Sequence, residues 1–289
     1  MDATGTEIVK GQAMDATENN SVLQLRKVRK IFARDSVDKI IALNGVDLDV
    51  YDRDFVTVIG SNGAGKSTLL NIVAGVFPPE RGGKVIIKGH DVTDLPEHKR
   101  AAYVGRVWQE PAVGTAGKLT IEENLCLALL RKHPRGLSSA IDKQRRQQFR
   151  EQLASLGLGL EDRLNTPVKN LSGGQRQALA LVMATIGNPA ILLLDEHVAT
   201  LDPRTAQTVL QLTAEIVHRE QMAAIMVTHN MEVALRYGKR LVMMHKGRIV
   251  VDIGEADKKA LAVTDLIAAF ERAAGEKFLD DTILLSSQE

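Results

Sequence analysis

Apolar and polar positions change period along this chain, and the changes divide it. Over residues 22–32 and again over 41–50, apolar side chains such as Leu23, Leu25, Val46, Leu48 and Val50 alternate with polar or basic ones. A period of two predicts strands with one solvated face. Residues 55–59 are instead almost continuously apolar and β-branched, which predicts a buried strand ending at Gly60. Beyond Thr68 the positions Leu69, Leu70, Ile72 and Val73 repeat at helical spacing. Turn signals at Pro78-Pro79 and Gly82-Gly83 precede a hairpin-like strand at 84–89, and 103–108 reads as another short strand. From about 115 to 187 the period is helical. Thr120 and Glu123 stand three apart as in a capping box, His133-Pro134-Arg135-Gly136 breaks the pattern, and 141–156 reads as a charged amphipathic helix.

Strand and helix then alternate again: strand 190–195, helix 203–220, strand 223–227, a short helix ending at Tyr237-Gly238, strand 240–244, and a turn into 249–251. This order predicts an α/β fold with a parallel central sheet, interrupted by a helical insert. Its expected extent is 22–254. Residues 255–289 are expected to form a helical appendix with a loose polar end, in which Leu261, Leu266, Ile267, Ala269 and Phe270 would dock on the core or on a second copy. Residues 1–21 are polar and are expected to be a disordered lead-in. The echo of Met1-Asp2-Ala3-Thr4 in Met14-Asp15-Ala16-Thr17 leaves open which methionine starts the protein.

Composition changes this picture little. The 289 residues are 44% hydrophobic and 25% charged, as in ordinary globular proteins, and the net charge of +1 gives no electrostatic reason to expect a nucleic-acid partner. Arg26, Lys27, Arg29 and Lys30 read as a solvated strand face. The single cysteine, Cys126, excludes an internal disulfide and falls in an apolar helical run, where packing is its expected role. No apolar stretch reaches the roughly 18 residues a membrane-spanning helix needs. A cytoplasmic location is therefore expected, at the membrane only if another subunit holds the chain there.

Candidate chemistry starts at Gly60-Ser61-Asn62-Gly63-Ala64-Gly65-Lys66-Ser67-Thr68, a G-x-x-x-x-G-K-[ST] loop between a buried strand and a helix. Glycines let successive backbone N–H groups turn inward, and the helix N-terminus adds its positive dipole end. A triphosphate suits that hollow. Lys66 is expected to reach the β- and γ-phosphates of such a guest, and the Ser67 hydroxyl to sit on the accompanying Mg2+. Asp195 and Glu196 close a buried strand, where α/β folds present functional groups. Asp195 is expected in the metal shell and Glu196 as general base for the attacking water. His229 ends the neighbouring strand on the same rim. Gln109 follows 103–108 and offers an amide oxygen to metal or water. Phe32, the one large aromatic in the approach to the loop, is open to two readings, a purine-stacking platform or a core side chain. A second anion site is expected at Ser172, Gly173, Gly174 and Gln175, where Ser172 and Gln175 are again three apart and open an apolar helix. One full and one half site per chain predict a head-to-tail dimer.

Together these residues resemble the ATP-binding subunits of ABC transporters, over about 22–254 and in six motifs. Gly60 to Thr68 is similar to the Walker A loop, Gln109 to the Q-loop glutamine, and Leu171 to Gln177 to the family signature. Ile191 to Glu196 is similar to Walker B, Leu201-Asp202 to the D-loop end, and His229 to the switch histidine; Phe32 stands at the adenine-stacking position. The resemblance implies the ABC ATPase fold, with a P-loop core, an N-terminal antiparallel β subdomain and a helical insert subdomain. It also implies two ATP molecules closing a dimer, most simply a homodimer, at the cytoplasmic face of the inner membrane. Transmembrane permease subunits would dock there near the Q-loop and insert. In place of the family's usual Pro-Thr or Pro-Ser after Walker B stand His197-Val198, a turn expected to alter local geometry while sparing Glu196 and Asp202. That histidine and the segments around Gln109 and His229 are similar to a bacterial uptake subgroup with a separate solute-binding protein, often for amino acids. Exporters and lipid-trafficking systems share the same motifs. Soluble ABC proteins of ribosomes or DNA carry paired cassettes or a long coiled coil, and neither is present in this sequence.

Overall fold

The computed structural model describes residues 21–33, 38–131 and 142–275 of the chain. Both alternating segments are long strands, β1 (Ser21–Phe32) and β2 (Ile40–Tyr51), paired antiparallel with Leu25 opposite Leu48 and Val28 opposite Val46. Their apolar faces are buried, while Arg26 on the other face pairs with Asp49 at 2.7 Å. The basic stretch is thus a strand surface with acidic neighbours. Every position of β3 (Phe55–Gly60) is buried, and it feeds α1 (Lys66–Ala74). β4 (Lys84–Ile87) pairs with β1, and β5 (His90–Asp91) with β4, completing an antiparallel sheet in the order β2-β1-β4-β5.

A short helix that no periodicity announced, α2 (Glu97–Arg100), brings Arg100 under α1. Arg100 is fully buried, and its guanidinium donates to the carbonyl oxygens of Val73 (3.1 Å), Thr93 (2.7 Å) and Ile72. A cation there adds a donor to the last carbonyls of α1 and complements the helix dipole. Burial pulls its pKa down to about 10.

β6 (Val104–Val107) is followed by α3 (Pro111–Gly114), α4 (Ile121–Leu129), α5 (Lys143–Ala154) and α6 (Gly173–Thr185). The Thr120–Glu123 capping box opens α4: Thr120 N–H donates to the Glu123 carboxylate at 2.7 Å, and Glu123 N–H to the Thr120 hydroxyl at 3.3 Å. The break expected at His133-Pro134-Arg135-Gly136 and the start expected at Ile141 lie outside the described residues, as do 1–20 and 276–289. These helices share one core with the central sheet, Leu125, Phe149, Leu153 and Leu181 packing in the same cluster as Leu192 and Leu194. Each such buried side chain contributes roughly 1.5–3 kcal/mol. Cys126 lies in this cluster as a buried thiol.

β7 (Ile191–Asp195), α7 (Pro203–Arg219), β8 (Ala223–Val227), α8 (Met231–Arg236), β9 (Arg240–His245) and β10 (Arg248–Ile253) complete the second sheet. Its order is β10-β9-β3-β8-β7-β6, parallel from β9 to β6, with β10 antiparallel at the edge. Parallel neighbours put the carboxyl ends of β3, β8, β7 and β6 side by side. Gly60, Thr228, Asp195 and Trp108 therefore reach one edge, where open parallel sheets bind ligands.

The appendix, α9 (Glu255–Lys258) and α10 (Val263–Ala274), docks on its own chain. Leu266 and Phe270 pack with Ile59, Met231, Leu241 and Met243, and the Phe270 ring meets His245 edge-on at 5.3 Å. Lys258 is 4% exposed and donates to the carbonyl oxygens of Tyr237 (2.5 Å) and Gly238 (2.8 Å), which close α8. Burial lowers its pKa to about 8.

Candidate functional site

The loop from Gly60 to Thr68 curls ahead of α1, so the first amides of that helix point into a hollow at the sheet edge. Gly65 has φ 100°, and a Cβ added there would strike the Ala42 carbonyl oxygen. Glycine meets both demands. Asn62, Gly63 and Ser67 are exposed, Ser61 and Thr68 half-buried, and Gly60, Ala64 and Gly65 buried. Lys66 is only 7% exposed and folds back to donate to the carbonyl oxygens of Gly60 (2.7 Å) and Ser61 (3.1 Å). Its charge thereby stays on the hollow.

Across the hollow, the Ser67 hydroxyl donates to Asp195 Oδ1 at 3.3 Å. A hydroxyl and a carboxylate oxygen this close, at the mouth of a phosphate cradle, form a donor pair suited to a hard divalent cation. Asp195 Oδ2 is held by a residue the motifs did not single out: Arg106 Nη2 lies 3.0 Å away, in an ion pair with both side chains largely buried. The same guanidinium donates to Asn71 Oδ1 at 2.7 Å and stacks over Trp108, 3.4 Å from the ring centroid. Burial lowers the Arg106 pKa and Asp195 opposes that shift. In sequence Arg106 is one basic residue inside a strand, with no spacing to mark it.

Glu196 has φ 44°, a left-handed conformation that costs a non-glycine residue about 1–3 kcal/mol. Its N–H donates to the Val227 carbonyl at 3.0 Å, and its Oε2 lies 3.4 Å from His229 Nδ1. The turn thus carries Glu196 across to the end of β8. Hydrogen bonding from His229 is the largest influence on Glu196 and holds its pKa below the usual carboxylate value; burial opposes this, and the charges of His229 and Lys66 add to it. An ionised carboxylate at neutral pH is what a general base requires.

His197 turns away from this edge. It is 1% exposed, and its Nε2 lies 3.0 Å from the Thr213 hydroxyl of α7, which itself donates to the Val209 carbonyl at 2.8 Å. The hydroxyl proton being spent, Nε2–H is the donor. The substituted turn is anchored to α7 from beneath. Burial lowers the His197 pKa from 6.5 to about 4. Between those values the unfolded chain binds a proton that the folded chain refuses. The stabilisation is whole above pH 6.5 and is lost as pH falls toward 4, by about 2 kcal/mol near pH ~5. Urea unfolding near pH ~7 and ~5 should show this loss in the wild type and a clearly smaller one in His197→Gln; equal losses would refute it.

Gln109 lies two residues past β6, exposed, and lines a cleft of about 520 Å³ with Pro111, Gly173, Arg176, Thr200 and Leu201. The second anticipated capping box is present: Gln175 N–H donates to the Ser172 hydroxyl and Ser172 N–H to Gln175 Oε1, both at 3.2 Å. Ser172 and Gly173 are exposed at the start of α6. Gly174 is buried for a different reason, since a Cβ there would run into the Thr205 methyl of α7. Phe32 is half-buried and packs edge-on against Phe77 at 5.4 Å, with the Lys30 ammonium 5.6 Å above its ring. It is not among the buried core side chains, though Phe77 packs against one of their clusters.

Residues 43–199, more than half of the chain, match the family model described as ABC transporter. The chain belongs to the ABC transporter family. As an ATP-binding cassette of that family it is an ATPase. A tyrosine transport ATP-binding protein of Clostridioides difficile is 39% identical over 252 residues, 87% of this chain and 100% of that one. A lipoprotein-releasing system ATP-binding protein of Caulobacter vibrioides is 34% identical over 235 residues, 80% of this chain and 97% of that one. Among solved structures, the dimeric post-hydrolysis state of an ATP-binding cassette bound to ADP and Pi matches with a TM-score of 0.69 at 30% identity, over 81% of this chain and 98% of that one. No helix among the described residues is long and apolar enough to cross a membrane.

Proposed function

We propose that two copies of this cassette close head to tail over two ATP molecules, and that the cycle drives uptake of a small solute, an amino acid, through separate permease subunits at the cytoplasmic face of the inner membrane. The observation that carries the solute class is the 39% identity to a tyrosine transport ATP-binding protein along that protein's whole length. A partner extracytoplasmic solute-binding protein belongs to the same proposal. The lipoprotein-releasing relative supports the alternative of lipid trafficking, at lower identity and coverage.

The geometry supports the following roles. The amides of Gly60 to Thr68 and the Lys66 ammonium bind the phosphates, and Ser67 and Asp195 would hold magnesium, which would neutralise the negative charge developing on the transferred phosphoryl group. Glu196 accepts the proton of the attacking water while His229, 3.4 Å away, orients the carboxylate and faces the γ-phosphate. Gln109 reaches metal or water when its loop closes, and Phe32 stacks on the adenine. Ser172, Gly173, Gly174 and Gln175 present the start of α6 to the nucleotide of the second copy. Exposure of Ser172 and Gly173 at a helix start is what supports that assignment.

Uptake of radiolabelled amino acids by cells expressing the wild type or Lys66→Ala in place of the native chain tests the proposal. An energy-dependent uptake, tyrosine first among those assayed, should disappear in the variant. Unchanged uptake of every amino acid, with lipoproteins retained in the inner membrane, would overturn it in favour of lipid trafficking.

A further inference from the structure

Arg106 has no part in the roles above, yet it holds one of the two oxygens of the carboxylate assigned to the metal. We propose that Arg106 is a positioning residue for magnesium: by gripping Asp195 Oδ2 it keeps Oδ1 turned to the Ser67 hydroxyl, where the ion accompanying ATP binds. The inference rests on Ser67 and Asp195 being the metal ligands.

Geometry makes the grip directional. Arg106 lies on β6, beside β7, opposite Leu193. One arm of its fork meets Asp195 Oδ2 at 3.0 Å and the other meets Asn71 Oδ1 at 2.7 Å. Asn71 lies four residues beyond Ser67, on the same face of α1. The fork therefore ties the metal-binding carboxylate to the helix that carries the metal-binding hydroxyl. Nε has no acceptor among the described residues, and the guanidinium carbon lies over the Trp108 ring, so the indole fixes the plane of the guanidinium. Asp195 is left with one oxygen committed and one on Ser67.

Charge sets the sign of the effect. A cation near a metal site would repel a bare ion, but magnesium arrives with a triphosphate whose negative charge exceeds its own. The Arg106 charge is itself paired with Asp195, so its field on the nucleotide is small and orientation of the ligand is the larger influence. Hydrogen-bond partners of metal ligands typically change metal affinity by 10–100-fold when removed. A lysine could not replace the fork, having one point charge and no plane to stack.

The test is magnesium titration of the full chain with a fluorescent ATP analogue, without turnover, starting from nucleotide bound in EDTA. Arg106→Met and Arg106→Lys should bind the analogue in EDTA as the wild type does, which also reports an intact fold, but need at least about ten times more magnesium for half-effect. A wild-type or tighter magnesium response in either variant overturns the inference. Asp195→Asn separates the two levels: if it also responds as the wild type does, the metal-ligand assignment fails and the inference falls with it. If Arg106→Met does not fold, Asn71→Ala carries the test, with a raised magnesium requirement; no rise overturns the inference.

Discussion

Glu196→Gln is expected to slow ATP turnover by about 10²–10⁴-fold while ATP still binds. Glutamine matches the carboxylate in volume and can still accept a hydrogen bond from His229 through its amide oxygen. What it loses is the capacity to take a proton. The wild-type carboxylate is poised for that, because His229 and Lys66 keep it ionised against the pull of burial. Since hydrolysis is what reopens the proposed dimer, the variant should accumulate as an ATP-bound pair. Phosphate release and size exclusion with ATP and magnesium measure the two effects. Wild-type turnover in Glu196→Gln would remove Glu196 from the role of base.

Lys66→Ala is expected to act one step earlier, weakening ATP binding by roughly 10–100-fold, the range of a lost charge-assisted hydrogen bond at 1.5–3 kcal/mol. Lys66 stands at 7% exposure with its ammonium on the Gly60 and Ser61 carbonyls, so it is already aimed into the hollow. Arginine should not restore binding, because its planar fork is larger than the point charge the loop encloses. Titration with a fluorescent ATP analogue in EDTA isolates this contribution from that of the metal. Unaltered affinity would refute it. The two variants are thereby distinguished: both lose turnover, and only Lys66→Ala loses nucleotide.

Local pattern carried much of the fold. Alternation made β1 and β2 legible, continuous apolar runs did the same for β3, β7 and β8, and both capping boxes lie where the Thr120–Glu123 and Ser172–Gln175 spacings placed them. The loop at Gly60 was readable because phosphate binding needs consecutive backbone amides, and consecutive amides leave a contiguous motif. By contrast α2 and α3 are four residues each, too short for a helical period to emerge.

Sequence by itself determined that this protein holds a phosphate cradle, a pair of strand-end carboxylates and an amide-rich second helix start, because each of those is built from neighbours in the chain. Tertiary structure decided which of them meet. Strand order brings β6, β7, β8 and β3 edge to edge and, with the left-handed turn at Glu196, sets that carboxylate 3.4 Å from His229. It also assigned jobs that no spacing announces. Arg106 clamps Asp195 across 89 positions of sequence, Arg100 closes α1, and Lys258 closes α8. His197, beside the proposed base, is turned into the core on Thr213. A long-range ion pair or a buried imidazole depends on where the backbone returns, and that is fixed by packing of the whole sheet rather than by local pattern.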